Sequence, residues 1–233
     1  MPLNSSKGSL NKLELIILKL QKKVAQLYSE RLRIFNLYKY EDKIRSEGYS
    51  LIAGIDEAGR GSLAGPVVAA AVILPVRFFI PDIKDSKKLS SRKRTDLSYF
   101  ILKNATDVGI GIVESNIIDR VNINQASFMA MRMAIRKLKN IPDYLLVDGF
   151  KIPQVKISHL KLIKGEDKSI SIAAASIIAK VYRDNIMIGY DQKFPQYCFR
   201  KNKGYGTEEH FKALEKYGAI EIHRKTFKGV VIV

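Results

Sequence analysis

Two apolar runs in this chain end in acids. Ser50 to Asp56 leads into Asp56-Glu57, and Tyr144-Leu145-Leu146-Val147 leads into Asp148-Gly149. A carboxylate placed where an apolar strand emerges costs stability, because burial penalises its charge. The arrangement makes chemical sense if a cation shares the site. Hard oxygen donors of this kind suit Mg²⁺ or Mn²⁺, which bind through a few carboxylates together with water and substrate phosphate. Two such ions about 4 Å apart activate water and steady the leaving oxygen of a phosphodiester. Acids at strand ends also serve as turn formers and helix caps, so this pair alone does not decide the matter. The next residues add weight. Gly59-Arg60-Gly61 follows the first acidic pair after a single alanine, and Gly65-Pro66 closes the turn. Glycines there let backbone amides approach a ligand, and Arg60 offers donors matched to phosphate.

The elements that must hold these groups read as an α/β domain. Strands are expected over Ser50–Asp56, Val67–Leu74, Val108–Val113, Asp143–Asp148 and Lys156–Ile163. Val67–Leu74 is almost wholly apolar, the pattern of a strand covered on both faces. Helices are expected over Asn122–Lys139, over the Ala/Ile-rich Ser169–Tyr190, and over Thr207–Tyr217. The last of these has Thr207 as cap and two acids in its first turn. Residues 1–47 form a separate unit by composition. Leu13, Ile16, Ile17, Leu20, Val24 and Leu27 recur at helical spacing, and the segment holds ten Lys/Arg against five Asp/Glu. It reads as a basic amphipathic helical extension that packs on the domain or contacts nucleic acid; residues 48–233 form the domain proper, with a helical C-terminal region.

A net charge of +17 over 233 residues points to a polyanionic partner, nucleic acid first and an anionic membrane surface second. The lone cysteine, Cys198, excludes an internal disulfide and a thiolate zinc site. No stretch approaches the roughly 18 apolar residues of a membrane span, and the first residues lack a secretory apolar run. A soluble cytoplasmic monomer is expected.

Asp56-Glu57-Ala58-Gly59-Arg60-Gly61, with Leu63-Ala64-Gly65-Pro66-Val67-Val68-Ala69 behind it, resembles the signature of type 2 ribonuclease H (ribonuclease HII). Four more blocks fall in that family's order: Asp85-Ser86-Lys87-Lys88-Leu89-Ser90, Leu146-Val147-Asp148-Gly149, Ser171–Lys180 with Arg183-Asp184, and Lys203-Gly204-Tyr205-Gly206-Thr207 with His223-Arg224. The resemblance covers roughly Leu51 to Phe227. It implies a ribonuclease H-like fold, a central mixed β-sheet flanked by helices. It also implies an endonuclease that hydrolyses the RNA strand of RNA–DNA hybrids and cuts 5′ to single ribonucleotides embedded in duplex DNA. Two Mg²⁺ or Mn²⁺ ions would serve the cut, leaving 3′-hydroxyl and 5′-phosphate ends.

Family members use four carboxylates for metal binding and catalysis, and Asp56, Glu57 and Asp148 stand in three of those places. The fourth is usually an aspartate in a Lys-Gly-Asp step, which here reads Lys164-Gly165-Glu166 with Asp167 next. Glu166 matches the position and is the preferred ligand; Asp167 is the alternative. Gly59, Arg60 and Gly61 resemble the loop that contacts ribose 2′-hydroxyls, the group that separates RNA from DNA. Tyr205 matches a tyrosine that stacks on the following deoxyribose, and Ser86, Lys87 and Lys88 resemble a phosphate-contacting segment. Lys180 and Arg183 are open between phosphate contact and structural roles, and His210 and His223 read as structural. Two rivals remain: type 3 ribonuclease H, which normally carries a Gly-Lys-Gly loop and a longer N-terminal domain, and a non-catalytic nucleic-acid-binding protein with the same fold.

Overall fold

The computed structural model describes residues 12–230. The start of the 1–47 extension and the last three residues lie outside it. Five strands form one mixed sheet: β1 (Ile52–Ala58), β2 (Val67–Ile73), β3 (Asp107–Val113), β4 (Tyr144–Asp148) and β5 (Ser158–Leu162), in the order β3-β2-β1-β4-β5. β1, β2 and β3 pair antiparallel, while β4 lies parallel to both β1 and β5. All five expected strands are present. Every residue of β2 is buried, in keeping with its unbroken apolar run.

Helices cover both faces. On one side α4 (Ser115–Arg136) meets Ala53, Ile55, Val67, Ala69, Ala71 and Ile73, alternate residues of β1 and β2. On the other, α5 (Ile170–Lys193) and α3 (Ser91–Asn104) meet Ala58, Ala70 and Val72. Close packing of α5 depends on its small residues and on Gly54. A methyl group built on Gly54 would lie 2.0 Å from the carbonyl carbon of Ser171, so α5 rests directly on the backbone of β1. α6 (Phe199–Asn202) and α7 (Glu208–Tyr217) close one end, and Thr207 caps α7 by accepting a hydrogen bond from the His210 amide.

Two departures from the sequence reading have local causes. The expected start of a helix at Asn122 is a kink inside α4, where Asn122 adopts φ 67° and its side chain accepts from the Asn124 and Gln125 amides. That is helix-capping chemistry in mid-element. α3 went unrecognised: its apolar positions are few, and Leu97 and Ile101 are its buried hydrophobic residues.

The N-terminal segment forms α1 (Lys12–Leu37) and α2 (Lys39–Ser46). Lys12 to Ser29 are exposed throughout. From Ile34 onward the segment enters the core: Ile34, Leu37 and Tyr38 join the α5 side, and Ile44 packs with Ile52, Leu146 and Ile172. Among the described residues no helix is long and apolar enough to cross a membrane.

Candidate active site

Because β1 and β4 are parallel neighbours, their C-terminal ends emerge at the same edge of the sheet. Ile55 pairs with Val147, so the next residues, Asp56 and Asp148, stand side by side. Asp56 falls on the α5 face, where its carboxylate is hydrogen-bonded by Ser176 and accepts from the Glu57 amide at 2.7 Å. Asp148 Oδ1 accepts from the Gly165 amide at 2.6 Å, which draws the 3₁₀ turn Gly165–Asp167 against the end of β4. Glu166, on that turn, is buried, and the charges of Asp148 and Asp85 bear on its carboxylate.

Asp56, Glu57 and Asp148 share a cavity of about 460 Å³ with Gly59, Arg60, Gly61, Ser86, Lys87, Lys180 and Tyr205. Glu166 is not in that wall. It lines an adjoining cleft of about 250 Å³ with Asp167, Lys84 and three residues of α1. Lys88 stands apart from the cavity lining, its ammonium bonded to both oxygens of Asp167 at 2.8 and 2.9 Å. The structure thus gathers nine of the eleven expected residues around one cavity and leaves Lys88 and Glu166 beside it.

The acids repel one another. Burial, then the charges of Glu57 and Asp148, hold the Asp56 carboxyl well above the usual range. Burial pushes Glu57 up to about 7, with Asp148 adding to the rise and Arg60 opposing it from 3.6 Å. Glu166 is raised by burial and then by Asp148 and Asp85. One oxygen each of Glu57 and Glu166 is buried without a hydrogen-bond partner. Among the described residues no three His, Cys, Asp or Glu groups are set to hold a metal ion as they stand. The unpartnered hard oxygens of Glu57 and Glu166, beside the charge of Asp148, fit the donor chemistry a divalent cation takes.

A pH dependence follows with a definite sign. Between about 4.5 and 7 the folded, metal-free chain keeps a proton on Glu57 that the unfolded chain has released, and the raised Asp56 carboxyl acts in the same direction. Stability is therefore expected to fall as pH rises through that window. Added Mn²⁺ should raise the melting temperature more at about pH 8 than at about pH 5.5, where protons compete for the oxygens. Scanning calorimetry checks both; a metal-induced shift independent of pH would count against these acids as the ligands.

The loop after β1 owes its shape to two arginines buried beneath it. Arg183 of α5 donates to the Pro66, Ala64 and Lys203 carbonyls and to Ser62 Oγ. Arg224 donates to the carbonyls of Gly59 (2.7 Å), Arg60 (2.9 Å) and Gly65 (2.9 Å). Gly59, at φ 96°, has no room for a side chain: an added Cβ would fall 2.0 Å from Arg183 Nε. Burial, and then Arg183, pull Arg224 down to about 9, so it stays charged at neutral pH. With the carbonyls turned inward, the loop presents its other face to the cavity. Arg183 is thus a buried support, whereas Lys180 lines the cavity, bonded to Asp184 at 2.7 Å. Replacing Arg224 by Met strips donors from three carbonyls and is expected to cost roughly 2–4 kcal/mol. A urea midpoint equal to that of the parent chain would refute this.

Arg60 is braced rather than free. Its guanidinium bonds Ser127 Oγ and Asn124 Oδ1 on α4 and lies 4.5 Å from the centre of the Phe150 ring. Tyr205 is half-exposed at the cavity mouth, with Lys180 and Arg183 5.2 and 5.3 Å from its ring centre. His210 and His223 are buried together: the Ile220 amide donates to His223 Nδ1, the two Nε2 atoms lie 3.0 Å apart, and His210 Nδ1 reaches the Tyr205 carbonyl. Burial lowers both, His223 to about 4. They are neutral structural groups, as their sequence setting suggested. The sequence reading missed Ser176, Asp85 and the bracing pair Asn124–Ser127. Ser176 and Asp85 lay inside recognised blocks; nothing local marked the pair on α4.

The ribonuclease HII family model matches residues 53–230. The chain is 55% identical over 203 residues to the ribonuclease HII of Caldanaerobacter subterraneus subsp. tengcongensis, covering 87% of this chain and 84% of that one. It is 54% identical over 195 residues to the ribonuclease HII of Bacillus subtilis, covering 84% and 76%. Among solved structures it resembles the ribonuclease H2 of Pyrococcus horikoshii OT3, with a TM-score of 0.65 at 23% identity over 78% of this chain and 95% of that one. A ribonuclease HIII crystallised with Mn²⁺ is similar at a TM-score of 0.61 and 17% identity, over 77% of this chain and 68% of that one.

Proposed function

The chain belongs to the ribonuclease HII family, and from that premise we propose that it cuts the phosphodiester 5′ to a ribonucleotide with Asp56, Glu57, Asp148 and Glu166 as its metal-binding carboxylates. It is a divalent-metal-dependent endoribonuclease that degrades the RNA strand of RNA–DNA hybrids. Type 3 identity and a binding-only role give way to that membership. The finer reading adds single ribonucleotides embedded in duplex DNA as substrates, Mg²⁺ or Mn²⁺ as the ion, 3′-hydroxyl and 5′-phosphate ends, and a monomer at work in the cytoplasm.

One observation carries it: the ends of two hydrogen-bonded parallel strands bring Asp56 and Asp148 together in a cavity with Glu57 and cationic side chains. Bound ions supply the nucleophile activation and charge neutralisation that phosphodiester hydrolysis needs. The chain's residues do the rest. Lys87 and Lys180 offer charge for the backbone of the scissile strand. Gly59, Arg60 and Gly61, held from below by Arg224, form a rigid rim suited to reading a 2′-hydroxyl. Tyr205 offers its ring to the sugar that follows, and Ser86 anchors the segment that carries Lys87, its hydroxyl 3.0 Å from that of Ser176.

The test is cleavage of a labelled DNA duplex carrying one ribonucleotide, with Mg²⁺, Mn²⁺ or EDTA. A single metal-dependent cut on the 5′ side is expected. Cutting confined to long hybrids would remove the embedded-ribonucleotide part of the reading.

A further inference from the structure

Glu41 is an unusual residue to find where it is. It lies on α2, upstream of β1, and is fully buried. One of its carboxylate oxygens accepts from Ser169 Oγ at 2.6 Å and from the Ser171 amide at 3.1 Å; the other has no hydrogen-bond partner. A buried acid costs stability unless its surroundings answer the charge. Here the answer is the first turn of α5, where free amides and the positive end of the helix dipole favour an anion.

That turn adjoins the catalytic acids on two sides. The Ser169 and Lys168 amides donate back to the Gly165 carbonyl, at 2.8 and 2.9 Å, so the first turn of α5 is continuous with the turn bearing Glu166. On the far side, the Ser171 backbone presses against Gly54, two residues before Asp56. α5 is thus wedged between the strand that carries Asp56 and the carboxylate of Glu41. The same N-terminal segment walls the cleft into which Glu166 opens, through Arg33, Asn36 and Leu37. It is fastened beyond that cleft as well: Arg33 donates to the Ile83 carbonyl at 2.7 Å, and Glu30 accepts from the Asp82 amide at 2.8 Å, just before Asp85 and Lys87.

We propose that Glu41 is a positioning residue, holding the first turn of α5 against β1 so that Glu166 stays beside Asp148, where both carboxylates could serve a divalent ion. The proposal rests on the reading of Glu166 as the fourth carboxylate. It gives residues 30–46 a part in building the active site, beyond the docked or nucleic-acid-contacting helix expected from their patterning.

The experiment measures Mn²⁺ binding to the full chain by calorimetry without substrate, alongside kcat and KM on a hybrid. Glu41→Ala is expected to weaken Mn²⁺ binding and lower kcat by about tenfold or more, the usual loss when a group supporting a ligand is removed, with KM for the hybrid unchanged. Glu41→Gln keeps an acceptor for Ser169 and Ser171 and should recover most of both. In a Glu166→Gln background, Glu41→Ala should add no further loss. If the alanine variant unfolds, Glu41→Asp carries the test: it withdraws the carboxylate by one methylene and should shift Mn²⁺ affinity in the same direction. A lowered melting temperature with unchanged Mn²⁺ affinity would overturn the proposal, as would losses that add fully in the double variant. Glu166→Gln alone matching the parent chain in binding and turnover would instead strike down the Glu166 assignment, and this role for Glu41 with it.

Discussion

Asp56→Asn is expected to abolish cleavage, by at least about 1,000-fold in kcat, while the variant stays folded and binds hybrid within a few-fold of the parent chain. The substitution keeps the side chain's shape: the amide oxygen can still accept from the Glu57 amide, and the amide nitrogen can donate to Ser176 Oγ. What disappears is the central negative charge of the cluster. Asp56 is the acid on which the other two bear most, because it sits between the end of β4 and Glu57. Hybrid affinity is expected to come mainly from the cationic groups and loop amides around the cavity, which the substitution leaves in place. The metal-free variant should also melt higher than the parent at alkaline pH, where the parent's Asp56 carboxyl must ionise against burial and the charges of Glu57 and Asp148. Single-turnover cleavage with a separate anisotropy titration of binding tests all three. Turnover within tenfold of the parent would remove Asp56 from the reaction, and loss of binding in step with loss of cleavage would make its role one of substrate affinity.

The second large effect separates two neighbouring acids. Glu166→Gln is expected to reduce kcat by about 100-fold or more, whereas Asp167→Asn should change it less than about threefold. Glu166 is buried, keeps one oxygen without a hydrogen-bond partner, and feels the charge of Asp148. Asp167 is exposed, and both its oxygens are engaged by Lys88. An acid already answered by an ammonium at the surface has little to offer an ion inside the cleft, and surface pairs of this kind contribute little to stability. The reversed pattern would transfer the fourth carboxylate to Asp167 and would require the Lys88 pair to open during the reaction. Measuring Mn²⁺ affinity for both variants keeps a ligand role apart from a purely kinetic one.

Much of the site is legible in the sequence because its determinants are local. A strand that must be buried announces itself by an unbroken apolar run, and an acid at its end stands out against that run, as at Asp56 and Asp148. The Gly59-Arg60-Gly61 loop was likewise visible, since only glycine tolerates the backbone of Gly59 and the closeness of Arg183. For Glu166 over Asp167 the sequence offered only the match to a family position, with no local physical reason. Both follow Gly165 on one 3₁₀ turn, and what distinguishes them is Lys88, 79 residues before Asp167 along the chain.

By itself, then, the sequence determined the strands, the family blocks, the acids at the strand ends and the need for a polyanionic partner, all properties of near neighbours in the chain or of its summed charge. Tertiary structure alone decided which groups answer one another across long separations. Arg224 supports the Gly59 carbonyl from 165 residues away, and Glu41 meets Ser169 from 128 residues away. The physical reason is that a buried polar group must find a partner wherever the packed chain supplies one, and packing brings together residues that no spacing rule connects.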